Sequence, residues 1–301
     1  MKDYFIDKVL ATTVVGSYPP VKGNRGLRSL FDPLHSAVEL AVSDQIGAGI
    51  DIISDGQVRG DMIQAFTAKL PGIRGQEVIG KVQPSPAPIT VGDTKYALSK
   101  YPKVKGIITG PTTLAYGLHI STPMYRNREE LALDLAAALA VEARALEAAG
   151  VTLIQIDEPI FSTGSADLLA GRQAIERIIS SLHIPTCMHV CGDLSDVIDD
   201  ILKVPVNVFD FEFSKNSENI ALVSSRDLSG RMIGFGCVDS ATDTVESVAE
   251  INKRITKGVE VFGARSLLID PDCGLRMRTR DAASAKLKNM VEAAREVRLS
   301  L

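Results

Sequence analysis

The sequence contains no tryptophan, and phenylalanine and tyrosine bring its aromatic content to only 5%. It also lacks any uncharged apolar run approaching the roughly 20 residues that a membrane-spanning helix needs. The formal net charge is −4 at pH 7, and no basic stripe or block of like charge stands out. These absences argue against a membrane protein and against a surface dedicated to nucleic acid.

Cysteine is scarce as well. Four cysteines in 301 residues are too few for a disulfide framework. Asp7 and Lys8 interrupt the N-terminal segment where an export signal would be apolar. We therefore expect a globular protein of the cytoplasm, in which metal binding or catalysis explains the cysteines better than disulfide bonding does.

Short β-branched apolar runs recur along the chain, and longer segments, mostly helix-like, separate them. The eight runs are Thr12–Ser17, Asp51–Gly56, Val104–Gly110, Thr152–Asp157, Thr186–Cys191, Val206–Phe213, Met232–Asp239 and Ser266–Asp270. The clearest helical segments are Ser36–Gly49, Arg128–Gly150, Ala166–Ser181, Thr244–Phe262 and Arg280–Leu301. This alternation predicts an α/β fold, a single (β/α)8 TIM barrel over residues 1–301. A doubly wound sheet alternates in the same way, but no GxGxxG phosphate loop follows the first strand.

Residues 71–100 interrupt the alternation between the second and third predicted strands. The segment contains Pro84, Pro86 and Pro88, and its TVGDT sequence at residues 90–94 is typical of a turn. We interpret it as an inserted hairpin that covers one end of the barrel.

Metal-ligating side chains lie at the ends of three predicted strands. His189 and Cys191 end the fifth strand and, two residues apart, point to the same side. Glu212 ends the sixth strand, and Cys273 follows the eighth. In a barrel the carboxyl ends of the strands meet at one rim, and a set of nitrogen, sulfur and oxygen donors suits four-coordinate zinc.

The joint placement at three strand ends carries this prediction, because a single His-x-Cys pair in a strand is more often core packing. Cys187 lies on the same face of its strand as His189 and stays open as a further ligand, whereas we expect Cys237 to be buried. If all four predicted groups bind the metal, one must yield when a substrate arrives. The oxygen donor, Glu212, is the group we expect to yield.

These residues resemble the C-terminal catalytic barrel of cobalamin-independent methionine synthase. His189-x-Cys191 is followed by Glu212 and Cys273 at the spacing of that family's zinc ligands. Further similar segments lie in the family's order at residues 13–19, 86–90, 109–111, 155–159 and 271–275. The resemblance spans almost the whole chain.

The resemblance implies a zinc-dependent methyltransferase that methylates the thiol of L-homocysteine to give methionine. It implies that His189, Cys191, Glu212 and Cys273 bind zinc. It further implies that the substrate is bound by Val15, Gly16, Ser17, Gln57 and Asp157, with Asp157 at the ammonium group. A carboxylate suits an ammonium group, and backbone N–H groups of a Gly-Ser turn suit a carboxylate.

Three departures from the family bear on the methyl donor. The N-terminal barrel of the long family members has no counterpart in this sequence. The tryptophan that stacks on folate is missing, and Tyr116 is the only aromatic residue nearby. The family's histidine after the seventh strand aligns with Ala241, and no histidine follows His189. We therefore expect methylcobalamin, carried by a methylated corrinoid protein, to be the donor.

Three alternatives stay open at this point. A related zinc barrel could methylate another thiol such as coenzyme M, whose sulfonate would suit Arg276, Arg278 and Arg280. The donor could instead be methyltetrahydrofolate. Finally, the chain could be a zinc-binding, non-catalytic partner of a corrinoid protein.

Overall fold

A parallel β-sheet forms the centre of the protein in a computed structural model that describes residues 6–20 and 32–301. In chain order the strands are β1 (Ala11–Thr12), β2 (Ile73–Arg74), β3 (Glu77–Val78), β4 (Lys105–Thr109), β5 (His119–Ile120), β6 (Leu153–Asp157), β7 (Thr186–Val190), β8 (Val208–Glu212), β9 (Met232–Gly236) and β10 (Leu267–Asp270). Within the described residues, the main sheet has seven strands in the order β1-β10-β9-β8-β7-β6-β4, with every pair parallel. The predicted α/β class is confirmed.

Ile52 and Ile53 bridge the two edges of this sheet. Thr13 pairs in parallel with Ile52, and Ile53 pairs in parallel with Val104. The second predicted strand, Asp51–Gly56, thus pairs with its neighbours through Ile52 and Ile53. The first predicted strand, Thr12–Ser17, is shorter in the structure, where β1 covers Ala11–Thr12.

Helices separate the strands of the main sheet. They are α1 (His35–Ala48), α2 (Gln64–Thr67), α3 (Val91–Lys100), α4 (Pro111–Tyr116), α5 (Arg128–Ala149), α6 (Leu168–Ile179), α7 (Ile198–Ile201), α8 (Glu218–Ser224), α9 (Val248–Phe262) and α10 (Arg280–Leu299). The N-terminus of α5 is capped by the Asn127 side chain, and the helix ends at Gly150, whose φ of 96° is left-handed. A capping box of Ser247 and Glu250 starts α9. All five predicted helices are present, with ends shifted by a few residues.

The segment between the second and third predicted strands contains both β-structure and a helix. Strands β2 and β3 pair antiparallel, and β3 also pairs in parallel with β5. The interpretation of residues 90–94 as a turn is wrong, because α3 begins at Val91. Gly92 and Asp93 lie in the first turn of α3, where the negative charge of Asp93 interacts favourably with the helix dipole. Val91, Thr94 and Ala97 are buried at helical spacing.

The side chains inside the main sheet form an apolar layer followed by a polar one. The apolar cluster contains Ile6, Ala11, Ile52, Leu153, Cys187, Val208, Met232 and Leu268. Two residues further along four of these strands, on the same face, lie Gln155, His189, Asp210 and Asp270, all buried. Cys187 therefore packs in the apolar layer, and Cys237 is buried as expected. No helix among the described residues is long and apolar enough to cross a membrane.

Candidate metal and substrate site

Three of the predicted zinc ligands lie together at the carboxyl ends of two strands. His189 is on β7, Cys191 follows this strand, and Cys273 follows β10. One imidazole nitrogen and the two sulfur atoms all lie within 4.8 Å of one another. The Sγ atoms of Cys191 and Cys273 are 3.9 Å apart. This spacing allows one small cation to contact all three side chains.

The imidazole of His189 is buried beside a carboxylate. Its Nδ1 lies 3.3 Å from Oδ2 of Asp210. The side chain of His189 is 2% exposed, and that of Asp210 is 1% exposed. Within the described part of the chain, Nε2 of His189 has no hydrogen-bond partner. A buried ring nitrogen without a partner, next to two thiols, is a donor set that fits zinc. Sequence reasoning missed Asp210, which lies inside a strand interpreted only as an apolar run.

Glu212 lies close to this group but is not part of it. Its carboxylate accepts hydrogen bonds from the Gly192 N–H at 3.1 Å and from Nδ2 of Asn216 at 2.8 Å. Gly192 follows Cys191 directly, so the carboxylate contacts the turn that carries one of the thiols. Its role as a fourth ligand stays a prediction.

Asp272 fixes the turn that follows Glu212. Its carboxylate accepts hydrogen bonds from the backbone N–H groups of Phe213, Ser214 and Lys215 at 2.9 to 3.2 Å. Burial raises the pKa of Asp272 to about 8. Because Asp272 precedes Cys273, one residue joins the turn after β8 to the loop after β10. Sequence reasoning missed this role of Asp272.

The predicted substrate loop contacts the loop that carries Cys273. Val15, Gly16, Ser17 and Cys273 line one narrow pocket. The carbonyl oxygen of Ser17 accepts a hydrogen bond from the Leu275 N–H at 2.8 Å. The two segments are far apart in the sequence, so the fold brings the predicted substrate loop and a predicted metal ligand together.

Gln57 lies against the same loop. A Cβ atom on Gly16 would lie 2.3 Å from Cδ1 of Ile107 and 2.9 Å from Oε1 of Gln57, so a larger residue there would displace both side chains. Gln57 has a φ of 44°, a left-handed conformation that is costly for a residue other than glycine. The Asp55 carboxylate accepts its N–H at 2.9 Å, and Arg276 donates to its carbonyl oxygen at 3.0 Å.

Asp157 ends β6 directly beside His189 in the parallel register. Burial raises the pKa of its carboxyl group to about 6. Its Oδ1 accepts a hydrogen bond from Nε2 of Gln155 at 2.7 Å. The structure thus brings Asp157 next to one predicted metal ligand. Sequence reasoning missed Gln155, although a glutamine inside an apolar strand is a detectable signal.

The residues that bear on the methyl donor and on the alternative acceptor, coenzyme M, have the following surroundings in the structure. The Tyr116 hydroxyl donates to the Ser165 carbonyl oxygen at 2.7 Å, and the Arg128 guanidinium lies 4.9 Å from its ring centroid. Ala241 is exposed. Two of the three arginines after Cys273 form ion pairs: Arg278 with Asp243 at 3.5 Å, and Arg280 with Asp44 at 2.7 Å.

Known proteins are similar to this chain over nearly its whole length. A methionine synthase from Methanocaldococcus jannaschii is 42% identical, with 96% of this chain and 100% of the relative covered. A methionine synthase from Methanothermobacter marburgensis is 41% identical, with 95% and 100% covered. The solved B12-independent methionine synthase from Shewanella sp. W3-18-1, in complex with selenomethionine, superposes with a TM-score of 0.87 at 25% identity and covers 98% and 100%.

The family model described as the catalytic domain of cobalamin-independent synthase matches residues 10–296. This match includes all of the predicted metal-binding and substrate-binding residues. The similarity stated from the sequence motifs is confirmed. The chain belongs to the cobalamin-independent synthase family and corresponds to its catalytic domain.

Proposed function

We propose that the protein is a zinc-dependent methyltransferase that methylates the thiol of L-homocysteine and releases methionine. The observation that carries this proposal is the convergence of His189, Cys191 and Cys273 beside the Val15–Ser17 loop. The names of the relatives from Methanocaldococcus and Methanothermobacter support it. The Shewanella protein was solved with selenomethionine, a close analogue of the proposed product.

His189, Cys191 and Cys273 would hold the zinc ion, with Glu212 as the fourth ligand. Zinc bound there lowers the pKa of a coordinated substrate thiol, so that the nucleophilic thiolate exists at neutral pH. Glu212 already accepts two hydrogen bonds near Cys191. These partners can hold its carboxylate when a substrate sulfur takes its place, which fits the role of the ligand that yields.

The amino-acid part of the substrate would lie between the first loop and β6. Backbone groups of Val15, Gly16 and Ser17 would bind the carboxylate, with Gln57 beside them. Asp157 would bind the ammonium group, since a buried carboxylate gains most from a charged partner. Because Asp157 lies beside His189 in register, the ammonium end of the substrate would then lie near the proposed metal site.

For the methyl donor we propose methylcobalamin carried by a corrinoid protein. The chain has no tryptophan, and the Arg128 guanidinium lies over the ring of Tyr116, which leaves a pterin without a clear platform. In the proposed step the thiolate sulfur attacks the methyl carbon, and the carbon–cobalt bond breaks with both electrons left on cobalt. This leaving group needs no proton, which agrees with the absence of any histidine after His189.

A folate donor is the second candidate, because the family and the Shewanella structure are named as independent of cobalamin. A folate nitrogen must be protonated as it leaves, so this candidate requires an acid near the mouth of the site. Coenzyme M as the acceptor is less well supported, since Arg278 and Arg280 are already paired with carboxylates.

We also propose that the fold is a complete (β/α)8 barrel with an inserted hairpin. Ile52 and Ile53 would be the second strand, supported by their bridges to Thr13 and Val104. The antiparallel pair of β2 and β3 would be the hairpin within residues 71–100.

The test is an anaerobic assay of zinc-loaded protein with L-homocysteine and each donor in turn: methylcobalamin, a methylated corrinoid protein and methyltetrahydrofolate. Methionine is quantified, the corrin spectrum is followed, and coenzyme M replaces homocysteine in a parallel series. Methionine from a corrinoid donor that disappears in Cys273→Ala but persists in Cys187→Ala supports the proposal. Transfer from folate without corrinoid contradicts the proposed donor, and no methionine from any donor contradicts the function.

A further inference from the structure

We propose that Lys105 and Gln155 form a positioning pair, which sets the distance between the two groups that would bind the carboxylate and the ammonium group of the substrate. This inference rests on the proposed function. Lys105 begins β4 and Gln155 lies in the middle of the neighbouring strand β6. They are 2% and 0% exposed. Nζ of Lys105 donates a hydrogen bond to Oε1 of Gln155 at 2.6 Å.

The lysine decides which way the glutamine amide faces. An amide has one accepting end and one donating end, and an ammonium group can only donate. Lys105 therefore requires Oε1 on its own side, which directs the NH2 group of Gln155 to the other side. A reversed amide would place two donors together at Lys105 and leave a buried ammonium group without its acceptor, which is costly.

The NH2 group of Gln155 then joins two distant parts of the chain. Nε2 donates to the carbonyl oxygen of Val15 at 2.7 Å and to Oδ1 of Asp157 at 2.7 Å. Val15 belongs to the loop proposed to bind the substrate carboxylate, and Asp157 is proposed to bind its ammonium group. A single amide thus sets the separation of the two groups that recognise an α-amino acid.

Neither residue touches the metal group in this arrangement, so both act on the substrate through others. Gln155 holds Asp157 with a neutral donor, which leaves the negative charge of the carboxylate to the substrate. Loss of the donor should weaken recognition of the amino group more than binding of the thiol. That difference separates a positioning role from general support of the fold.

The test compares two ligands of the zinc-loaded, full-length protein by calorimetry: L-homocysteine and mercaptobutyrate, which lacks the amino group. Gln155→Glu keeps the size of the side chain and the partner of Lys105 but turns both donors into an acceptor. Lys105→Met removes the group that orients the amide. Gln173→Glu, on an exposed face of α6, is the control for the added charge.

We expect Gln155→Glu to lower homocysteine affinity by about tenfold or more, the effect of losing one well-placed polar contact, with unchanged zinc content. Affinity for mercaptobutyrate should change far less, so the preference for homocysteine falls, and Lys105→Met should shift it in the same direction. The inference would be overturned if the ratio of the two affinities stayed unchanged in both variants, or if the affinities for homocysteine and mercaptobutyrate fell by the same factor. If Gln155→Glu does not fold, Lys105→Met decides in the same way. Wild-type protein that binds no homocysteine contradicts the proposed function instead.

Discussion

Nδ1 of His189 and Oδ2 of Asp210 lie 3.3 Å apart inside the protein, on neighbouring strands in register. A carboxylate behind a histidine holds the proton on the nearer ring nitrogen and leaves the lone pair on the other one. Here the other nitrogen is Nε2. Neither ring nitrogen makes a hydrogen bond among the described residues, but Nδ1 has the Asp210 carboxylate as its charged neighbour. Gly234 on β9 makes room for this arrangement, because a Cβ atom there would lie 2.7 Å from Cβ of Asp210.

Asp210→Asn should weaken zinc binding while the three ligands stay in place. Outer carboxylates of this kind typically contribute about 10- to 100-fold to metal affinity. Competition with a chromophoric chelator measures the affinity directly, and Asp196→Asn on the exposed surface is the matched control. Gly234→Ala should have the same direction of effect, since it displaces Asp210. Wild-type affinity in both variants would show that Asp210 does not orient His189.

Serine at Cys191 or Cys273 should remove most of the bound zinc, because a hydroxyl is a much poorer ligand than a thiolate. Cys187→Ala should keep its zinc at the cost of about 1 kcal/mol in the free energy of unfolding, since Cys187 packs in the apolar cluster. Elemental analysis after dialysis gives the zinc content of each variant. Zinc loss in Cys187→Ala would return that residue to the ligand set.

Glu212→Gln tests the fourth ligand separately. Its two hydrogen bonds can be partly kept by an amide, so the fold should tolerate the change. We expect weaker zinc binding than in the wild type but stronger binding than in Cys273→Ser, because a yielding oxygen donor contributes less than a thiolate. Chelator competition ranks the three proteins. Affinity equal to the wild type would remove Glu212 from the proposed ligand set.

The sequence predicted well those features that follow from hydrophobic pattern and strand ends. The sequence predicts that His189, Cys191 and Cys273 lie together, because metal-binding residue types occur where parallel strands end, and the structure brings these three side chains together. The sequence does not predict a role for Asp210, Gln155 or Lys105, because each lies inside a short run whose pattern indicates only a buried strand. Only the structure shows that Lys105 bonds to Gln155 across two strands, and that Asp210 lies beside His189 on the neighbouring strand. These neighbours offset part of the cost of burying polar groups inside the sheet.

Asp157→Asn should raise the KM for homocysteine by about tenfold or more and leave the zinc content unchanged. An amide offers the ammonium group no opposite charge, while it keeps the size of the side chain. Initial rates over a range of homocysteine concentrations give KM and kcat separately. A fall in kcat alone would assign Asp157 to the methyl-transfer step rather than to binding.

Asp55 should make the stability of the protein depend on pH. Burial raises the pKa of its carboxyl group from 3.8 to about 6 in the folded state. Between these two values the folded chain holds a proton that the unfolded chain has lost, so the free energy of unfolding falls as pH rises. This difference in pKa corresponds to roughly 3 kcal/mol in the free energy of unfolding, and this stabilisation is lost by about pH 7.

Asp55→Asn removes this titration and can keep an acceptor for the Gln57 N–H. The variant should therefore gain stability relative to the wild type as pH rises from about 4 to about 7, by up to roughly 3 kcal/mol. Urea unfolding of both proteins at a series of pH values measures the difference. A difference that stays constant with pH would mean that Asp55 is ionised over the whole range, held by donors that compensate for its burial.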